Sequence, residues 1–219
     1  MQLNGTQSVV PGAAGLRATV LTSRVLAMLL VLALAIALAG CSERELKFNG
    51  SDIAGSKIGE NWSLVDHNGT VRNADSFKGK VGLVFFGFTQ CPDICPTALA
   101  EVAHAMSLLG ADAANVQVMM VTVDPERDTP EIMKAYLSAF DRELPGRFLG
   151  LIGSAEELRK AAGAFRAYYA KSPTPDGSYT MDHSTSLYLM DKQGKARVLL
   201  SNRAGAQAMA QDIKTLLEN

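Results

Sequence analysis

An apolar run that ends in two cysteines constrains this chain most. Val81-Gly82-Leu83-Val84-Phe85-Phe86 is short and rich in β-branched and aromatic residues, the composition of a strand buried on both faces. Gly87-Phe88-Thr89-Gln90-Cys91-Pro92-Asp93-Ile94-Cys95-Pro96 follows, and Thr97 to Met106 is then rich in helix formers. Pro96 suits the first turn of that helix, where its missing N–H costs nothing. Both thiols therefore sit where a buried strand hands over to a helix N-terminus. The free N–H groups and dipole there favour anions and lower a thiol's pKa.

Because the thiolate attacks disulfides and binds metals, Cys91 and Cys95 can form a redox pair, a soft-metal site or a structural disulfide. A disulfide across so short a loop would add little stability by the chain-entropy account. The spacing also differs from the Cys-x-x-Cys of thioredoxin-like redox motifs.

The 219 residues carry a net charge of −1, with 21 basic and 22 acidic side chains and no basic stripe, which argues against a nucleic-acid partner. Arg17 and Arg24 precede the apolar run from Val25 to Gly40, which is short for a spanning helix of about 20 residues. Basic residues, an apolar run and a small-residue end describe an export signal. Leu38-Ala39-Gly40-Cys41 resembles a bacterial lipobox, whose cysteine is lipidated and becomes the new N-terminus. Residues 1–40 are thus expected to be a lipoprotein-type signal peptide, with an uncleaved signal anchor as the alternative. Residues 41–57 are expected to be a flexible tether and 58–219 the folded domain. Either anchor puts the domain outside the cytoplasm, where a free thiol pair oxidises unless it is reduced or holds a metal.

Within that domain, Trp62 to Val71 reads as a β-hairpin turning at Asn68-Gly69. His67 beside the turn reads as a solvated loop residue, and His104 as a surface or half-buried helix residue. Val116 to Val123 is a second buried strand, with Met119 and Met120 as core residues. Thr129 caps the next helix, with Pro130 at its first position. Phe148 to Ile152 is a third strand, and Ser154 with Glu157 forms a capping box. Residues 170–180, with Pro173, Pro175 and Gly177, read as a loop. A strand to Met190, a turn at Asp191–Gly194, a strand from Ala196 and a helix from about Gly205 to Leu217 close the chain. The alternation implies an α/β domain, a central mixed sheet flanked by helices, with an N-terminal β-hairpin.

His183 lies some 90 residues beyond the cysteines, and strand-end loops of open α/β sheets collect ligands. If its loop lies beside theirs, two thiolates and an imidazole suit copper or zinc. Structural zinc usually takes four ligands. Asp93 and Asp124 are candidates for supporting such a site, with helix or turn capping as the competing role.

Three motifs then carry a resemblance. Gly87-Phe88-Thr89-x-Cys91-Pro92-Asp93-Ile94-Cys95-Pro96, Val123-Asp124-Pro125-Glu126-Arg127-Asp128-Thr129-Pro130-Glu131 and Asp182-His183-Ser184-x-x-x-Tyr188-Leu189 resemble the signature of the Sco/SenC family, copper-binding proteins that assist cytochrome c oxidase assembly. The resemblance implies a thioredoxin-like fold and a copper site, Cu(I) or Cu(II), on Cys91, Cys95 and His183. It matches Asp124 to a family acid implicated in the site or its partner contacts. It implies as partner the oxidase subunit carrying the binuclear copper centre, with another periplasmic copper chaperone as a candidate donor. The lipobox-like end of the export signal, not this resemblance, gives the expected place, the periplasmic side of a bacterial membrane through a lipid on Cys41, with an uncleaved signal anchor as the alternative. The resemblance implies either copper delivery or reduction of the copper-centre cysteines, of which delivery is the expected role. The rival is a thiol–disulfide oxidoreductase that keeps the copper-centre cysteines reduced. Asp182-His183-Ser184 occupies the place where thioredoxin-type reductases carry a proline, which favours the metal reading. Gln90 stands where many members have histidine, and Lys192 where a proline is often seen.

Overall fold

Short, continuous apolar runs build the centre of the sheet in the computed structural model. It describes residues 46–142 and 146–219, together with Gln2, Gly5, Met28 and Leu29. The expected signal peptide and Cys41 lie outside the described residues, apart from those four isolated positions.

Strand β4 (Val81–Gly87) is buried at every position. It runs parallel to β5 (Val116–Thr122), and β5 runs parallel to β6 (Phe148–Ile152). The crossovers contain α1 (Ile94–Leu109) and α2 (Pro130–Ser138), as parallel pairing requires. β2 (Leu64–Asp66) and β3 (Val71–Arg72) form the expected antiparallel hairpin, which adds to β6. On the other side β9 (Leu187–Met190) pairs antiparallel with β4, and β10 (Ala196–Leu200) with β9. The order is β1-β10-β9-β4-β5-β6-β2-β3, with β1 at Ser51–Asp52.

Because successive side chains point to opposite faces, each strand feeds two cores. Leu83, Phe85, Val118 and Met120 pack with Leu99 and Met106 of α1, Met133 of α2, and Ile213 of α4 (Ala206–Glu218). Val84, Phe86, Met119 and Val121 pack with Leu158 and Phe165 of α3 (Ala155–Phe165). Met119 and Met120 are thus core residues on opposite faces. Burying one such large side chain is worth about 1.5–3 kcal/mol, so both layers fasten the central strands. The Thr129 and Ser154 caps form as expected, each accepting a backbone N–H of the third helical residue.

Two expectations are corrected. The domain takes in residues upstream of Ile58. β1 pairs with β10, and the N–H groups of Asn49 and Gly50 donate to Asp212 at 2.8 and 2.9 Å. Asp212 is fully buried on α4, so this polar segment is tied down by a carboxylate that its own composition does not reveal. The expected loop at 170–180 is instead a second hairpin, β7 (Tyr169–Pro173) with β8 (Tyr179–His183). Its strands are half-exposed and lack apolar alternation, while Pro175 and Gly177 occupy only the turn, where Gly177 has φ +82°.

Candidate metal centre

The end of β4 delivers the first thiol. Gly87 leaves room there, where a Cβ would stand 3.0 Å from the Cys95 sulfur and 3.2 Å from Met120. Beyond it, Thr89 is held from its N–H and its hydroxyl by Asp128, with the hydroxyl contact at 2.6 Å. Cys91 follows, half-buried, with its N–H donating to the Phe88 carbonyl. Helix α1 then begins at Ile94, so Cys95 is its second residue and is only 1% exposed. Its N–H donates to the Cys91 sulfur at 3.3 Å. That bond places the helix N-terminus behind Cys91, as the strand-to-helix reading expected. Cys95 departs from it: burial pushes the Cys95 thiol up, overriding the helix N-terminus.

Hairpin β7–β8 delivers the imidazole. His183 ends β8, with Nε2 3.6 Å from the Cys95 sulfur. Its Nδ1 lies 2.9 Å from the Ser184 carbonyl, which can only accept, so Nδ1 carries the proton and Nε2 keeps its lone pair toward the sulfurs. The ring meets Phe88 edge to face at 5.9 Å, and Ser184 is pinned by exchanging two hydrogen bonds with Tyr168. The ligand atoms of Cys91, Cys95 and His183 all lie within 4.8 Å of one another. Soft thiolates with one imidazole, oriented by a backbone acceptor, fit a copper ion.

The two acids are not among the converging ligand atoms. Asp93 is exposed at the N-cap of α1, where its carbonyl accepts from Thr97 N–H. Asp124 is buried and ion-paired with Arg127, and it accepts from the Tyr179 hydroxyl at 2.9 Å. Asp124 thus ties the turn after β5 to the His183 hairpin, and Asp93 shapes the helix start.

Three residues were missed. Asp128 is fully buried, has no cation paired with it among the described residues, accepts from Thr89 and Thr122, and has its carboxyl raised by burial. Arg127 and Tyr179 stack, with the guanidinium 3.8 Å from the ring centroid. The dense charge of Asp124 to Glu131, set between a buried strand and a helix cap, was the available signal. Of the other histidines, His104 is exposed on α1. His67 is not solvated: it is half-buried, and its Nδ1 accepts from the Gly150 N–H at 3.0 Å.

Comparison with known proteins agrees with this architecture. Residues 50–218 match the family model described as SCO1/SenC. An SCO2-like protein of Rickettsia prowazekii is 38% identical over 141 residues, 64% of this chain and 67% of that one. ScoI of Bradyrhizobium japonicum, solved with copper bound, is 42% identical with a TM-score of 0.66, covering 73% of this chain and 99% of that chain. Yeast Sco1, also solved with copper bound, is 30% identical with a TM-score of 0.66, covering 74% and 89%. The fold is thioredoxin-like, and with its matched span and its three motifs together the chain belongs to the SCO1/SenC family.

Proposed function

We propose that this protein is a membrane-tethered, extracytoplasmic copper chaperone that holds copper on Cys91, Cys95 and His183 and assists maturation of the binuclear copper centre of cytochrome c oxidase. The observation that carries the reading is the convergence of two sulfurs and an imidazole nitrogen within 4.8 Å at one end of the sheet. The solved relatives with copper bound support the choice of metal, and the family supports the choice of oxidase.

The donor set suits cargo that must leave again. Cu(I) accepts a soft, low-coordinate set, and three donors leave a position through which an acceptor's thiol can enter. Cys91 is the more exposed of the two sulfurs, so of the thiolates it is the one an acceptor displaces first. Cys95 is buried and holds until last. Cys41, acylated after cleavage, keeps the domain at the membrane where the oxidase subunit matures. Loss of lipid labelling in Cys41→Ser, with membrane release, tests that part.

The same pair supports a second reading as a thiol–disulfide reductase. The half-buried Cys91 sulfur, with the Cys95 N–H 3.3 Å away, is the reachable member of the pair. Cys91 would attack an oxidised acceptor and release one sulfur as thiolate. Cys95 would then break the mixed disulfide, ending as Cys91–Cys95 and passing two electrons to the acceptor.

An anaerobic Cu(I) competition titration on the reduced full chain in detergent separates the two. A single tight copper, weakened in His183→Ala, supports delivery. Absence of tight copper, with a reducing Cys91–Cys95 couple, replaces it with the reductase.

A further inference from the structure

The hairpin that carries His183 is not part of the eight-stranded sheet; β7 and β8 form a separate two-stranded sheet. Such a hairpin is marginal by itself, so side chains must fix where His183 stands. Along β8, Tyr179, Met181 and His183 share one face. His183 reaches Cys95 at one end of that face. Met181 is buried in the core at its middle. Tyr179 lies at the other end, about 13 Å from His183 at strand rise. Met181 holds its middle, and the Tyr179 hydroxyl on Asp124 and Lys171 on Glu126 hold the far end to the turn after β5, which leaves a tie to the cysteine loop still to be made.

Arg127 supplies it. Its Nη1 donates to the Tyr179 carbonyl at 3.0 Å and to the Gln90 Oε1 at 3.1 Å, beside Cys91. Its Nε is ion-paired with buried Asp124, and its plane stacks on the Tyr179 ring at 3.8 Å. One guanidinium thus spans the cysteine loop, the turn after β5 and the histidine hairpin. We infer that Arg127 is the positioning residue that locks the His183 hairpin against the Cys91–Cys95 loop through Gln90 and Tyr179. The inference deepens the proposed site and rests on that reading of His183. The lock needs the planar, multi-donor guanidinium, which an ammonium cannot reproduce.

The lock acts on the nitrogen ligand and leaves both sulfurs in place. In Arg127→Ala, Cu(II) affinity should fall roughly 10–100-fold, the usual cost of removing a ligand's support, and nitrogen coupling should vanish from the Cu(II) paramagnetic resonance spectrum. Cu(I) affinity should fall less. Arg127→Lys should behave like Arg127→Ala; wild-type behaviour in it would mean that charge, not bracing, is at work, and would overturn the inference. A metal-free reading uses the reduced full chain in detergent, where the nuclear Overhauser contact between the Phe88 and His183 rings should weaken in both variants. A retained contact in a folded variant overturns the lock. Gln90→Ala, at an exposed position, is the second variant should Arg127→Ala not fold. It cuts the tie on the loop side and should reproduce the same changes more weakly; no change in ring contact or nitrogen coupling overturns the link. Wild-type protein that takes up no copper would sink the proposed function, and the ring contact alone would then decide the lock.

Discussion

His183 and His67 are near-mirror cases. Each is half-buried beside a strand end, and each spends Nδ1 on the backbone. The partner decides the outcome. Nδ1 of His183 donates to a carbonyl, which leaves an Nε2 lone pair 3.6 Å from a sulfur. Nδ1 of His67 accepts from the N–H of Gly150, so the proton sits on Nε2 and no lone pair remains for a metal. His67 acts as a strut: its own N–H donates to the Gly150 carbonyl at 2.9 Å, and the imidazole closes the return bond, extending the β2–β6 ladder. A backbone donor makes a structural histidine; a backbone acceptor makes a ligand.

The largest effect that would break this contrast is at the sulfurs. Cys91→Ser or Cys95→Ser should abolish tight Cu(I) binding in a competition titration, and retained tight binding would remove the site. Next, His183→Ala should lower copper affinity by at least about tenfold with little change in melting temperature. His67→Ala should do the reverse. It leaves the N–H of buried Gly150 without a partner, a cost of about 1–3 kcal/mol by chemical denaturation, and should leave copper affinity unchanged. Equal copper loss in both variants would end the distinction.

A finer test uses pH. Burial pushes the His67 imidazole below its ordinary value, against the opposing pull of Asp66. The folded state therefore binds fewer protons than the unfolded chain near the unperturbed value of about 6.5. The stabilisation is complete above that value and is lost as pH falls through the lowered one. Stability should thus drop on acidification below about pH 6.5, and His67→Asn, whose side-chain carbonyl can still accept, should flatten that slope. The smallest effect belongs to the third histidine, His104. Exposed on α1, it should change stability by no more than about 0.5 kcal/mol when replaced by alanine, and copper affinity not at all.

Much of the fold was legible because its signals are local. The apolar runs of β4, β5 and β6, the Asn68-Gly69 turn and the Thr129 and Ser154 caps act within a few residues. The β7–β8 hairpin was read as a loop because Pro175 and Gly177 mark its turn while its half-exposed strands show no period. Residues 41–57 read as a tether because the anchor of Asn49 and Gly50, Asp212, lies over 160 positions away. Asp93 and Asp124 read either as supports of the site or as caps; Asp93 stands at a helix N-cap position, and Asp124 bonds Arg127 and Tyr179 beside the His183 hairpin.

By itself the sequence determined two thiols at the junction of a buried strand and a helix, because strand composition, proline placement and cysteine spacing are read within one short segment. The motif resemblance joined His183, 88 residues from Cys95, to the thiols; only the tertiary structure decided how it reaches them, which tautomer it presents, and that Arg127 bridges Gln90 to Tyr179. The physical reason is range. Backbone propensity and hydrophobic period decay within a turn or two, while hydrogen bonds between distant segments depend on how the sheet orders its strands and leave no local pattern to read.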